Sequence, residues 1–104
     1  MPADHLFVNI TTAKGRHLVE VEGELDYFSS AHLRRHLDGL DGRDIVLDLA
    51  AVSFVDAAAV GTMVSVDNRL SDDGHRLRVI NLDRPHRRIF QIGRASHLLA
   101  PHLV

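Results

Sequence analysis

The stretch DIVLDLA at residues 44–50 constrains the fold of this chain more than any other, because it is almost continuously apolar. Such a run is typical of a β-strand that is covered on both faces, as in the parallel sheets of α/β domains. A chain of 104 residues has room for one hydrophobic core. The run therefore predicts the central strand of one sheet, in a single domain that spans residues 1–104.

Three further strands are predicted around this central strand. Residues 6–12 and 17–23 alternate apolar and polar side chains with the period of two that half-buried strands show. The stretch AKGR at 13–16 between them contains the glycine that a hairpin turn favours. Residues 75–82 form the fourth predicted strand, so a hairpin precedes the central strand and one strand follows it.

The first helix is predicted from a stripe of leucines. Leu33, Leu37 and Leu40 recur with the spacing that places apolar side chains on one face of a helix. Ser29 or Ser30 precedes this stripe and is the expected N-cap, because a hydroxyl accepts a free backbone N–H at a helix start. We therefore expect this helix to cover the sheet with its leucine face.

The segment 57–70 carries β-branched side chains that suit a strand, but other features favour a helix. Asp56 is a strong candidate N-cap, the alanines after it have high helix propensity, and a crossover is needed between two parallel strands. A further helix is expected from Arg84 to about Ile92 after a cap at Asp83, and a short one near the chain end. The predicted fold class is α/β in the order β-β-α-β-α-β-α-α, a mixed four-stranded sheet covered by about four helices.

Composition and charge narrow the classes of function. The net charge of −2 and the dispersed basic side chains give no general attraction to nucleic acid or to an acidic membrane surface. Because the chain has no cysteine, disulfides and thiolate metal sites are excluded. We find no signal-peptide pattern and no apolar run of about 18 residues, so we expect a cytoplasmic protein without direct membrane contact.

Three stretches together resemble a known family. They are GELD (23–26), IVLDLAAVSFVDAAAVG (45–61) and GHRLRVINLDRPHRRIFQIG (74–93). Their order and spacing are similar to the STAS domain of anti-sigma-factor antagonists, over about residues 6–99. The resemblance implies a STAS-like fold and a non-catalytic bacterial regulator that binds a serine-kinase anti-sigma factor and so removes it from a sigma factor.

The resemblance also implies a contact surface and a switch position. Family members carry D-S-S-G-L-G where this chain has D-A-A-A-V-G at 56–61, and the kinase phosphorylates the second serine, which breaks the complex. Ala58 stands at that serine, so no phosphorylation is expected there. The expected partner-binding residues are Asp26, Tyr27, Asp56, Ala57, Ala58, Val60, Gly61 and Thr62.

Alternative functions stay open. Small STAS proteins also act as accessory subunits of lipid-transport ABC ATPases, and a pseudo-switch scaffold would assemble with other STAS proteins or form a homodimer. Ser53, Thr62 and Ser65 are the neighbouring hydroxyls that a kinase would have to use in place of the missing serine. His32 and His36 have a spacing that can chelate zinc, but no third ligand is evident in the sequence. A polar helix flank is favoured for this pair, and no metal, cofactor or enzymatic activity is expected.

Overall fold

The computed structural model describes residues 6–100, and its elements follow the predicted order. The strands are β1 (Phe7–Ala13), β2 (Arg16–Leu25), β3 (Asp44–Val55) and β4 (Leu77–Ile80). The helices are α1 (Tyr27–Asp38), α2 (Ala57–Ser71) and α3 (Arg84–Ile92), followed by a 3₁₀ turn at Ser96–Leu98. The α/β domain with a mixed four-stranded sheet is therefore confirmed. The last predicted helix is a short 3₁₀ turn, and residues 101–104 lie outside the described residues.

The sheet has the strand order β1-β2-β3-β4, so each strand lies beside its neighbour in sequence. β1 and β2 form an antiparallel hairpin, whereas β2 pairs with β3 and β3 with β4 in parallel. Lys14 and Gly15 form the hairpin turn with φ angles of 56° and 76°. Positive φ at both central residues matches the strand twist in a two-residue hairpin, and Gly15 adopts it without steric cost.

The helices cover one face of the sheet and leave the other face more exposed. In β2, Val19 and Val21 are buried in the core, whereas Glu20 and Glu22 are exposed on the opposite face. The predicted leucine face of α1 is confirmed by its two fully buried leucines, and the helix predicted over 57–70 is confirmed as α2. The largest fully buried side chains include Phe90, Leu25, Leu33, Leu37, Ile45, Leu47, Leu49, Met63, Leu77 and Leu98.

β3 extends to Val55, beyond the strand predicted at 44–50. The prediction ended too early because two β-bulges disturb the alternation of apolar and polar side chains along β3. The register against β2 shifts after Asp48 and again after Val52, and each shift gives β3 one residue more than β2. The outer face of β3 is covered at Val46 but open at Phe54, so coverage of both faces holds only for the first half of the strand. The residues that β3 contributes to the core are Ile45, Leu47, Leu49, Val52 and Val55.

The chain after the 3₁₀ turn runs beside β4. Val79 forms an isolated parallel bridge with Leu99, and its carbonyl accepts the N–H of Ala100 at 2.9 Å. This contact covers part of the outer edge of β4, which the sequence did not predict. Within the described part of the chain, no helix combines the length and the apolar character that crossing a membrane requires.

Candidate partner-binding surface

The parallel strands β2, β3 and β4 end at the same edge of the sheet, and an α-helix begins after each of them. An aspartate is the N-cap of each helix: Asp26 for α1, Asp56 for α2 and Asp83 for α3. Their carboxylates accept the backbone N–H of the third helical residue at 2.8, 3.0 and 3.0 Å. We call this edge, with its three aspartates, the capped edge. It corresponds to the carboxyl ends of parallel strands, where ligands of open α/β sheets bind.

The cap of α1 is Asp26, so the predicted cap at Ser29 or Ser30 is wrong. Asp26 accepts the N–H of Ser29 at 2.8 Å, and the Ser29 hydroxyl accepts the N–H of Asp26 at 2.9 Å, which is a reciprocal capping box. The same hydroxyl donates to the carbonyl of Glu24 at 2.6 Å, and the Ser30 hydroxyl donates to the carbonyl of Tyr27 at 2.9 Å. Both serines are buried and their hydroxyls have structural partners.

The ends of β2 and β3 hold the starts of α1 and α2 side by side. Leu25 and Val55 are paired in register, and the N–H of Asp56 donates to the carbonyl of Leu25 at 3.0 Å. The hydrogen bond from the backbone N–H of Ser29 lowers the pKa of Asp26, although partial desolvation acts in the opposite direction. Asp26 is therefore ionised at neutral pH, and the structure places both predicted aspartates at the capped edge.

The first turns of α2 are divided between the surface and the core. Ala57 and Gly61 are exposed, and Ala58 and Thr62 are half-buried. Val60, which was predicted to contact a partner, is only 3% exposed and belongs to the hydrophobic core. The accessible part of these turns is therefore small and uncharged.

A groove of about 370 Å³ separates the starts of α1 and α2. Tyr27 and Phe28 line its α1 side with exposures of 69% and 81%, and their rings meet edge to face at 5.3 Å. Ala58, Thr62 and Arg34 contribute to the remaining lining. The sequence predicted Tyr27, but not Phe28, as part of the contact. The signal was present, because Phe28 lies outside the apolar face that α1 turns toward the sheet.

A second groove of about 260 Å³ lies between α2 and α3. Ala57 and Gly61 line its α2 side, and Ile92 lines its α3 side with an exposure of 71%. Gly93 closes the end of α3, where an added Cβ would come within 3.3 Å of the carbonyl oxygen of Ile89. The sequence did not predict this groove. The prediction of α3 rested on its capping residues, and these do not indicate that Ile92 is exposed.

The family model of the STAS domain matches residues 8–103 of the chain. The chain belongs to the STAS domain family. An anti-sigma factor antagonist from Mycobacterium paratuberculosis has a similar structure, with a TM-score of 0.83 and 21% identity over 98% of this chain and 91% of that one. The anti-sigma factor antagonist SpoIIAA in its unphosphorylated form gives a TM-score of 0.77 and 17% identity over 90% of this chain and 86% of that one.

The STAS fold also occurs inside a much longer protein. Murine Slc26a9, an anion transporter seen in its inward-facing state, gives a TM-score of 0.65 and 18% identity over 89% of this chain. The match covers only 17% of the transporter chain. At these identities the similarity to solved structures establishes the fold of the STAS domain.

Asp48 and Ser53 of this STAS domain also have structural partners. The carboxylate of Asp48 accepts the N–H of Ala50 at 3.0 Å and the side-chain amide of Asn81 at 3.2 Å. The Ser53 hydroxyl donates to the carbonyl of Gly23 at 3.4 Å. Among residues 6–100, no group of three or more His, Cys, Asp or Glu side chains is arranged to hold a metal ion.

Proposed function

We propose that this STAS domain is a non-catalytic regulatory module of the anti-sigma-factor-antagonist type, which binds a serine-kinase anti-sigma factor in the cytoplasm through its capped edge. The observation that carries the proposal is the accessible, uncharged start of α2, which lies between two grooves. The structural similarity to two anti-sigma factor antagonists supports a protein as the partner.

The side chains at the capped edge suit a protein contact. Tyr27 and Phe28 are exposed aromatic residues of the kind that anchor interfaces. Ala57 and Gly61 have little or no side chain, so the backbone of a partner can approach α2 closely. Asp26 adds a negative charge at the start of α1, which favours a partner with basic side chains around its apolar contact.

The proposed switch position is Ala58, which by the resemblance occupies the place of the phosphorylated serine. A phosphate at this place would add about −1.5 to −2 charge beside Asp56 and within the proposed contact. Alanine has no hydroxyl, so the position stays uncharged in the presence of kinase and ATP. Ser29 and Ser30 cannot replace it easily, because both hydroxyls are buried and hydrogen-bonded. Regulation would then come from partner abundance or from a competing partner.

The proposal is tested with the purified serine-kinase anti-sigma factors of the source organism. We expect at least one of them to bind the wild-type chain in biolayer interferometry. Incubation with that kinase and ATP should leave the chain unmodified in mass spectrometry. Failure of every kinase to bind would reject the function, and phosphate at Thr62 or Ser53 would reject the fixed uncharged state.

Two serine variants sharpen this experiment. Ala58→Ser restores the hydroxyl, and we expect the kinase to phosphorylate it and then to release it. Ala57→Ser is the matched control, because it adds the same group one residue earlier and should stay unmodified. Equal phosphorylation of the two variants would argue against a switch position at residue 58.

A second candidate is an accessory subunit of a membrane transporter, such as a lipid-transport ABC ATPase. The observation that favours it is the occurrence of the STAS fold in the anion transporter Slc26a9. Affinity capture from the source organism distinguishes the candidates. Recovery of transporter subunits without a serine kinase would support the second candidate, and recovery of the kinase would support the first.

A further inference from the structure

We infer that the open edge of β1 is a self-association surface, to which a second copy of this chain adds its own β1 in antiparallel orientation. Within residues 6–100, β1 pairs with β2 alone, so one of its edges stays open. The sheet ends differently at β4, which has four residues and is partly covered by the bridge between Val79 and Leu99. The inference concerns β1 and does not depend on the proposed anti-sigma-factor contact.

β1 lacks the features that usually keep an edge strand from pairing with another chain. Natural edge strands are shortened or bulged, or they carry charged side chains and proline. The seven residues FVNITTA of β1 include neither a charge nor a proline, and they pair with β2 without a register shift. The valine, the isoleucine and the two threonines are β-branched and favour the extended conformation. A strand of this kind is a template for a further strand.

The hairpin turn determines which backbone groups of β1 face the open edge. Ala13 and Arg16 flank a two-residue turn with positive φ at both positions, so they form the first hydrogen-bonded pair of the hairpin. Hydrogen-bonded and non-hydrogen-bonded pairs alternate along an antiparallel ladder. The N–H and C=O groups of Val8, Ile10 and Thr12 therefore point away from β2.

A second β1 fits this edge when Ile10 lies opposite Ile10 of the second copy. In this register Val8 lies opposite Thr12 of the second copy, and the outward backbone groups of both strands are paired in roughly six hydrogen bonds. Val8 and Ile10 are half-buried and pack against the hydrophobic core on the helix-covered face. The contact would therefore join the cores of the two copies around a two-fold axis.

The exposed face of β1 is complementary to itself in the same register. Phe7 is 66% exposed and lies opposite the small side chain of Ala13 of the second copy. Asn9 lies opposite Thr11 of the second copy, so two exposed and uncharged polar side chains meet. Because each side chain meets a suitable counterpart from an identical strand, a second copy of this chain is the expected occupant.

Paired charge variants at Asn9 and Thr11 test the register as well as the association. Both side chains are exposed, so both variants should keep the fold, which circular dichroism checks. Asn9→Lys/Thr11→Lys places lysines directly opposite each other on both sides of the two-fold axis and should prevent pairing. Asn9→Lys/Thr11→Glu is the matched control, because each lysine then faces a glutamate of the second copy and the dimer should persist.

Sedimentation equilibrium over a range of concentrations measures the association. A contact through one strand is small for a stable dimer, so we expect a dissociation constant of roughly 10–100 µM for the wild type and at least about tenfold weaker association of the double-lysine variant. A wild type that is monomeric at about 1 mM, or a double-lysine variant that associates like the wild type, would overturn the inference. Loss of the dimer in the lysine–glutamate variant as well would contradict the register.

Amide hydrogen exchange of the wild type gives a second readout that needs no variant. The outward N–H groups of Val8, Ile10 and Thr12 should exchange rapidly in dilute solution and at least about tenfold more slowly in the dimer. The N–H groups of Asn9 and Thr11 bond to β2 and should change little with concentration. Slow exchange of the outward groups at every concentration would show that the chain covers its own edge and would overturn the inference.

Discussion

The capped edge and the opposite edge of the sheet, where β2, β3 and β4 begin, use polar groups in different ways. At the opposite edge, Asp67 of α2 is 2% exposed and accepts the N–H of Leu77 at 2.8 Å. The Arg76 guanidinium donates to the same carboxylate at 3.1 and 3.2 Å. Burial acts to raise the pKa of Asp67, but the hydrogen bonds from Arg76 and Leu77 and the charge of Arg76 outweigh it and lower the pKa. The buried Asp67 carboxylate, bonded to the exposed guanidinium of Arg76 and to Leu77, joins α2 to the start of β4.

His17 makes a second connection at the opposite edge. The side chain is 4% exposed, and its Nε2 lies 2.8 Å from the carboxylate of Asp41, in the segment after α1. Its Nδ1 lies 2.7 Å from the hydroxyl of Thr12 in β1. Because an ionised carboxylate only accepts, Nε2 donates to Asp41 and Nδ1 is left for the hydroxyl. His17 therefore joins the hairpin to the segment that follows α1.

The difference supports the capped edge as the proposed partner surface. At the opposite edge, buried side chains form hydrogen bonds that join separate elements of the fold. At the capped edge, the aspartates bond within their own helix starts, and Tyr27, Phe28 and Ile92 stay exposed. Substitutions at the opposite edge should therefore change stability, and those at the capped edge should mainly change binding.

The largest expected effect on stability is that of Asp67→Ala. We expect the free energy of unfolding to fall by about 2–3 kcal/mol, because the buried N–H of Leu77 loses its acceptor and Arg76 its carboxylate. Urea unfolding followed by circular dichroism measures the change. Asp72→Ala removes an exposed carboxylate from the end of the same helix and is the control, with an expected change within about 0.5 kcal/mol. Equal free energies of unfolding for the two variants would contradict the claim that the opposite edge stabilises the fold.

Phe28→Ala should have the next largest effect, and on binding alone. An exposed aromatic anchor contributes about 2 kcal/mol to an interface, which corresponds to roughly 30-fold in affinity for the proposed anti-sigma factor partner. Stability should hardly change, because the ring is 81% exposed. Phe7→Ala is the matched control, since Phe7 is 66% exposed but lies on β1, away from α1 and α2. Biolayer interferometry that finds the same affinity for both variants would exclude Phe28 from the contact.

Two variants of Asp56, the N-cap of α2, distinguish its structural role from a role in partner contact. Asp56→Ala should destabilise the domain by about 1 kcal/mol, because the N–H of Ala59 loses its acceptor. Asn is an equally good cap, so Asp56→Asn should keep the stability of the wild type. If the partner recognises the charge, Asp56→Asn weakens binding without changing the urea midpoint. An unchanged affinity would assign Asp56 to capping only.

The smallest expected effect is the loss of stability in acid. The pKa values of Asp26 and Asp67 are lowered in the folded state, so their contribution is present above the ordinary aspartate pKa of about 3.9 and is lost as pH falls through the folded values. Unfolding free energies measured from pH 6 to pH 2 should therefore decrease toward acid. Asp67→Asn should show a shallower decrease than the wild type, and identical slopes would contradict the role of this carboxylate.

The sequence predicted the order of helices and strands because hydrophobic periodicity and capping residues are local signals that do not depend on tertiary packing. The helix of α2 was recognisable despite its valines, since Asp56 and the alanines favour a helix start. The end of β3 was missed, because its two bulges shift the alternation that identifies a strand. The cap at Asp26 was missed because Ser29 is an equally good cap by type, and only the backbone shows that it occupies the third helical position.

The candidate site was only partly predictable, because exposure depends on packing between elements distant in sequence. The motif located Asp26 and Asp56, and the sequence suggested the small surface of α2. It did not show that Val60 enters the core or that Ile92 of α3 lies across a groove from α2. The role of Asp67 was also hidden, since a charged residue in a helix is usually exposed and its partner Arg76 lies beyond the helix end.

The most direct test of the central claim, that the uncharged start of α2 contacts the partner, is the affinity of Ala58→Glu for the anti-sigma factor. We expect affinity to fall by about 100-fold, or roughly 2.7 kcal/mol, while the free energy of unfolding stays within about 0.5 kcal/mol of the wild type. Ala58→Gln has nearly the same size without the charge and should lose much less affinity. Wild-type affinity in a folded Ala58→Glu variant would contradict the account.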